Sequence, residues 1–355
     1  MPSVDLSKQE IIALLETEGE RELKDLCRRA YDVKMENVGK KVYYRGLIEF
    51  SNVCKKNCYY CGIRRDNRNV SRYCMSEDEI VEAALWAHGC GYGSVVLQSG
   101  ERSDAEFVDF VERAVSRIKK ESGGELGITL SLGEQGRETY ERWFKAGAHR
   151  YLIRIETSNR ELYAKLHPED HDFNARLRCI ENLRDIGYQV GTGVMIGLPG
   201  QNVEDLANDI LFFRDNDIDM IGMGPYIPHK DTPMGESLKW GEKEKRTWLE
   251  LALKMIAATR ITLRDVNIAS TTALQALDPK GREMGLEAGA NIIMPNITAT
   301  KYRSQYKLYE DKPCMDENSM MCRSCLEARI DSVGEEIGYK EWGDSPHYFK
   351  RMKKE

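Results

Sequence analysis

The sequence predicts an α/β fold: a (β/α)8 barrel of the TIM type, with a helical N-terminal extension and a cysteine-containing C-terminal segment. Three observations lead there. Short apolar runs recur eight times between residues 43 and 296, amphipathic helical stretches separate them, and polar or turn-forming residues gather where each run ends. A doubly wound open sheet is the alternative that alternation alone leaves standing.

The N-terminal stretch 6–36 returns Ile11, Ile12, Leu14, Leu15, Leu23 and Leu26 at three- and four-residue steps, the period of a helix with one apolar face. The apolar runs follow at 43–50, 94–99, 127–132, 150–156, 189–198, 219–224, 267–272 and 291–296. Helices are expected at 76–88, 104–121, 136–146, 174–186, 202–216, 242–259 and 279–288. Ser76 stands three residues before Glu79 and Asn202 three before Asp205, the spacing of a capping box. Several helices stop on glycine, as in "KAGAH" and "RDIGY". The expected organisation is an extension over 1–42, a barrel over 43–310 and a C-terminal segment over 311–355.

The composition narrows the function. Apolar residues make up 41% and charged residues 31% of 355, a globular balance. The net charge of -6 offers no general excess of cations for nucleic acid. No window reaches the roughly 18 apolar residues of a membrane span. The N-terminus lacks an apolar signal-peptide core, so a cytoplasmic protein is expected. There the ten cysteines should stay reduced. Six are clustered: Cys54, Cys58 and Cys61 in "CKKNCYYC", and Cys314, Cys322 and Cys325 near the C-terminus.

In a TIM-type barrel the chemistry sits at the C-terminal ends of the strands. The first cysteine group follows run one directly. "QSGE", "SLGE", "RIET", "GLPG", "GPYIPH" and "STT" end or follow the next six runs. Three thiolates on one short loop can hold three irons of a [4Fe–4S] cluster and leave the fourth iron open. Zinc is the competing reading, although structural zinc is four-coordinate and no fourth ligand stands nearby.

The loop, with Tyr60 just before its last cysteine, resembles the signature of the radical S-adenosylmethionine (SAM) superfamily. The resemblance implies a [4Fe–4S] cluster on Cys54, Cys58 and Cys61, with SAM chelating the open iron. It implies that Tyr60, Met195 and Ile196 neighbour the adenine. Ser99, Gly100 and Glu101 of "QSGE" would meet the SAM amino group. Ser131, Arg154, Glu156 and Arg176 would bind its amino acid or ribose. Without a ligand, Arg154 and Glu156 also read as a charge pair inside the barrel.

Eight stretches, among them "IEFSNVCKKNCYYCGIRRDN", "VVLQSGE", "MIGLPGQ", "ASTTA" and "GANIIMPN", together resemble the maturases that help assemble the [FeFe]-hydrogenase active site. That resemblance covers about residues 45–325. It implies an iron–cysteine carbonyl/cyanide substrate, other hydrogenase maturases as partners, and an electron donor such as ferredoxin or flavodoxin. It implies a chamber lined by Gln98, Arg150, Met220, Thr271, Thr272, Met294 and Tyr306. Cys314, Cys322 and Cys325 resemble the place of an auxiliary [2Fe–2S] or [4Fe–4S] cluster; a zinc site and unliganded thiols are the other readings. Some relatives carry histidine where this chain has Ile155, so no metal contact is expected there. Related alternatives are a methylornithine synthase-like mutase and biotin synthase, which needs strand cysteines that these runs lack. A non-catalytic iron–sulfur or zinc scaffold is the alternative of another class.

Overall fold

The computed structural model describes residues 5–236, 240–315 and 319–353, without the side chains of Met321 and Cys322. The extension forms two helices, α1 (Lys8–Leu15) and α2 (Glu20–Asn37), rather than one. Gly19 at φ +95° breaks the pattern between them, a conformation that suits glycine.

The barrel strands are β1 (Lys41–Ser51), β2 (Ser94–Ser99), β3 (Gly127–Ser131), β4 (Arg150–Leu152) and β5 (Gln189–Thr192). A short outer pair, β6 (Met195–Ile196) with β8 (Gly224–Pro225), extends the walls beyond β5 and β7 (Met220–Ile221). β9 (Asn267–Ile268) and β10 (Ile292–Ile293) complete the ring. Every neighbouring pair is parallel, in the order β10-β1-β2-β3-β4-β5-β7-β9. Asn291 N–H to Ile268 O and Ser270 N–H to Ile292 O, both 2.9 Å, join β9 to β10 and close the barrel. The open-sheet alternative is thereby set aside.

Helices α3 (Glu77–Gly89), α4 (Ala105–Glu121), α5 (Arg137–Ala146), α6 (Arg160–Leu166), α7 (Phe173–Ile186) and α8 (Val203–Asp215) cover the strands in turn. α9 (Glu242–Leu263), α10 (Thr272–Leu277), α11 (Gly281–Glu287) and α12 (Thr300–Arg303) finish the ring. Both expected capping boxes, Ser76–Glu79 and Asn202–Asp205, form. On α4, Phe107, Val111, Ala114 and Ile118 repeat on one face and are buried. Each large apolar side chain so buried contributes about 1.5–3 kcal/mol. Trp143 of α5 is fully buried and donates Nε1–H to Val108 O at 3.1 Å, tying α5 to α4.

The C-terminal segment adds α13 (Ser319–Ser332), β11 (Glu336–Ile337) and α14 (Pro346–Met352). β11 pairs with the start of β1 and leads the chain under the N-terminal end of the barrel. There Gly343 O accepts from Arg45 and Asn267, while Asp344 Oδ1 accepts from Arg150 at 2.5 Å and Gln189 at 2.9 Å. These four donors stand on β1, β9, β4 and β5, so two residues of the segment plug the barrel floor. No helix among the described residues is long and apolar enough to cross a membrane.

Candidate active site

The cysteine loop leaves β1 at the barrel's C-terminal mouth and is held on every side by backbone contacts. Arg72 donates to the carbonyls of Asn52, Ile63, Arg64, Arg65 and Asn67 at 2.6–3.3 Å, stapling both ends of the loop together. The end of β2 closes on it from the side. Gly100 N–H donates to Ser51 O at 2.8 Å, Lys55 N–H to Glu101 O at 2.8 Å, and Glu101 N–H points at Cys54 Sγ at 3.3 Å. A Cβ on Gly100 would lie 2.4 Å from Val53 O and 2.8 Å from Cys54 Cβ, so only glycine allows this approach.

Burial pushes the Cys58 thiol up to about 12 and also raises Cys54 and Cys61, with neighbouring cysteines of the loop adding to the rise at Cys58 and Cys61. The three sulfurs therefore lie within electrostatic reach of one another. Yet among the described residues no three His, Cys, Asp or Glu side chains converge tightly enough for a single metal ion. A cubane cluster holds its thiolates farther apart than one ion does, and N–H···S contacts such as that from Glu101 favour thiolate. The donor set suits a [4Fe–4S] cluster bound through Cys54, Cys58 and Cys61.

Inside the mouth, next to Cys61, lies a cavity of ≈ 220 Å³. Tyr60 and Met195 share an apolar cluster with Leu198 and Tyr226 at its edge. His167 fixes Tyr60: Nδ1–H donates to Tyr163 O at 2.8 Å, which leaves Nε2 to accept from the Tyr60 hydroxyl at 3.3 Å. Burial, with the Arg176 charge nearby, pushes His167 down to about 3, so it stays neutral. Glu156 adopts φ +64°, an uncommon backbone for a residue with a side chain, at the point where β4 meets the outer strand pair. It accepts from Arg154 Nε at 3.0 Å. Gln98, Thr271, Thr272 and Met294 face the same cavity, and Thr271 Oγ1 is buried there with no hydrogen-bond partner.

Other expected SAM contacts sit beside the cavity in a charge network. Arg176 donates to Glu134 Oε1 at 3.0 Å and to Arg154 O at 2.6 Å; Lys56 reaches Glu134 at 2.8 Å and Glu101 at 3.7 Å. Burial, then the Glu134 carboxylate, raises the Glu101 carboxyl, and Glu101 Oε1 has no hydrogen-bond partner. Ser99 caps Gly100 O at 2.7 Å, Ser131 is half-buried at the end of β3, and Ile196 is fully buried in the wall.

Two chamber expectations are corrected by position. Arg150 begins β4 and is wholly buried at the opposite end of the barrel; its guanidinium binds Asp344, Trp342 O and Thr129. Met220 begins β7 and meets Arg45 Nη1 through its sulfur at 2.9 Å, in a small void near the floor. Both precede the strand ends that make the mouth, and the plug that occupies Arg150 lies almost 200 positions away in sequence. Tyr306 stands behind the cavity wall and meets Gln98 Nε2 at 3.3 Å. The sequence reading missed Glu49, Tyr309 and Lys312, all of which line the cavity. A charged residue at the end of an apolar run was the available signal for Glu49.

Cys314 has φ +62° and its carbonyl accepts from Arg303 Nη1 at 2.9 Å. Cys325 is exposed and accepts from Arg329 Nε at 3.2 Å. The Cys322 side chain lies outside the described residues.

A parallel barrel whose first strand delivers three half-buried thiols to its catalytic mouth, beside a chamber with an aromatic shelf, defines a radical SAM enzyme. The family model for the radical SAM superfamily matches residues 48–213, from within β1 through most of α8. The chain belongs to that superfamily and, within it, to the family of the [FeFe] hydrogenase maturase subunit HydE. It is 46% identical over 328 residues to HydE of Thermotoga maritima, covering 92% of this chain and 90% of the relative. It is 30% identical to 3-methylornithine synthase of Methanosarcina acetivorans, over 81% of this chain and 79% of that protein. Among solved structures, methylornithine synthase superposes with a TM-score of 0.79 at 25% identity, covering 95% of both chains. The maturase HydG from Carboxydothermus hydrogenoformans gives 0.77 at 23% identity, over 95% of this chain and 77% of that one, a likeness of fold.

Proposed function

We propose that this chain acts in assembly of the diiron active site of [FeFe]-hydrogenase, on an iron–cysteine carbonyl/cyanide precursor. The observation that carries the reading is the 46% identity to HydE across nine-tenths of that relative, against 30% to the methylornithine synthase. Cys54, Cys58 and Cys61 would hold the cluster; with SAM bound there, one electron from a reduced donor would cleave the sulfonium to methionine and a 5′-deoxyadenosyl radical. Tyr60 and Met195 form the shelf for the adenine. Arg154, Glu156 and Arg176 orient the amino-acid and ribose end, and the Gly100 backbone keeps the loop closed on that side. Gln98, Thr271, Thr272 and Met294 meet the substrate. Hydroxyl and amide groups suit cyanide and carboxylate, and the methionine thioether gives a soft apolar wall.

Cys314, Cys322 and Cys325 hold an auxiliary iron–sulfur cluster on this reading, supported by their grouping in sequence. Segment 54–72 carries Lys55, Lys56, Arg64, Arg65, Arg68 and Arg72 against Asp66 alone, in a chain of net charge -6. That local excess supports an acidic electron donor such as a ferredoxin or flavodoxin meeting the cluster loop. The other maturases complete the set of partners.

The test separates this reading from an amino-acid mutase. Reduced, cluster-loaded protein is incubated with SAM and lysine, and products are followed by mass spectrometry. The expected result is 5′-deoxyadenosine that disappears in C58A, with no 3-methylornithine. Rearranged lysine would assign the chain to the mutase chemistry instead.

A further inference from the structure

The chamber wall holds a charged pair that its apolar surroundings do not explain. Glu49 stands near the end of β1, five positions before Cys54, and its side chain is 1% exposed. Lys312 comes from the C-terminal segment, two positions before Cys314, and its side chain is 7% exposed. The two meet at 2.5 Å, and both line the cavity. Desolvating two charges is costly, and a buried pair is commonly no more stabilising than apolar residues of the same size. Stability alone therefore gives little reason for a lysine here.

The hydrogen bonds point the same way. Both Glu49 oxygens are occupied, Oε1 by Lys312 and Oε2 by Asn296 Nδ2 at 3.1 Å. Lys312 gives one N–H to Glu49 and a second to Tyr306 O at 2.9 Å, and its ammonium lies 5.2 Å from the centre of the Tyr306 ring. An ammonium has three donors. The third has the cavity to donate into, where the Thr271 hydroxyl is also buried without a partner.

We infer that Lys312 is a substrate-binding cation of this chamber, held in place by Glu49 and Tyr306, whose free N–H takes an anionic group of the substrate. The inference rests on the proposed function for its ligand, an anionic iron–cysteine complex with a carboxylate and cyanide to offer. It also gives the C-terminal segment a direct part in the chamber. Glu49 and Tyr306 O act as positioning groups that fix the ammonium and point its remaining proton inward.

The experiment is equilibrium binding of the synthetic iron–cysteine dicarbonyl cyanide complex, read by its CO and CN stretching bands. Wild type, K312M, K312R and E49Q/K312M are compared, each cluster-loaded. The double variant removes the lysine without leaving Glu49 buried and unpaired, so it tests binding even where K312M folds poorly. Loss of one charge-assisted hydrogen bond predicts about tenfold weaker binding in K312M and in the double variant. K312R, which keeps the charge, stays within about threefold of wild type. Wild-type binding by the double variant overturns the inference and leaves the proposed function intact. A wild type that does not bind the complex overturns the proposed function, and the inference with it.

Discussion

Gly100 lies against Cys54 so closely that a methyl group at the glycine would come within 2.8 Å of the cysteine's Cβ. The contact lets the next residue, Glu101, aim its N–H at the cysteine sulfur. The loop that carries the thiols and the turn after β2 are thus one packed unit. G100A should force them apart, with overpacking of about 1–3 kcal/mol concentrated at the first thiolate. Iron content and the reduced-cluster electron paramagnetic resonance signal after anaerobic reconstitution should fall at least about twofold. Full loading of G100A would show that the contact is dispensable.

Arg150 and Asp344 tie β4 to the C-terminal plug in a pair that is largely buried. Removing one partner strands the other, so R150M and D344N should each cost about 3–5 kcal/mol. The check is the midpoint of denaturant unfolding. The double variant should recover part of the loss, because neither charge is then left alone.

His167 couples pH to the Tyr60 anchor. Its folded value of about 3 lies below its ordinary 6.5, so the unfolded chain binds the proton more readily. Its stabilising share is complete above about pH 6.5 and is lost as pH falls towards 3, by at most about 1.4 kcal/mol per unit. H167Q retains an acceptor for Tyr60 but does not titrate. Its unfolding free energy, measured between pH 7 and 4, should fall less steeply than that of wild type by about one proton.

Arg154 and Glu156 form a pair at the cavity edge, with strained backbone at the glutamate. E156Q removes the carboxylate and keeps the shape. SAM affinity, titrated through the cluster's spectral change, should drop about tenfold. An unchanged affinity would make the pair part of the barrel wall alone.

The strand ends were legible because a TIM-type barrel sends its chemistry to one mouth, and residues following apolar runs could be read in order. Tyr60, Gln98, Glu156, Met195 and Thr271 all reached the cavity that way. Arg150 failed for a physical reason: it stands at the first residue of its strand, which is the floor, and its partner comes from a segment whose path no local pattern reveals. Lys312 was hidden likewise, since the strap carrying it has no apolar period. The first residue of α10, Thr272, falls within an expected strand because Thr271 and Thr272 follow an apolar run directly. The paired lysine and arginine around Glu134 needed three-dimensional neighbours to be seen.

The central claim is tested most directly by a single turnover on the organometallic precursor. Reduced wild-type protein, SAM and the synthetic iron–cysteine dicarbonyl cyanide complex are mixed, and the CO and CN bands and the nucleoside products are followed together. The account predicts loss of the precursor's bands in step with consumption of SAM, with neither change in C58A. Cleavage of SAM that leaves the precursor's bands untouched would contradict it.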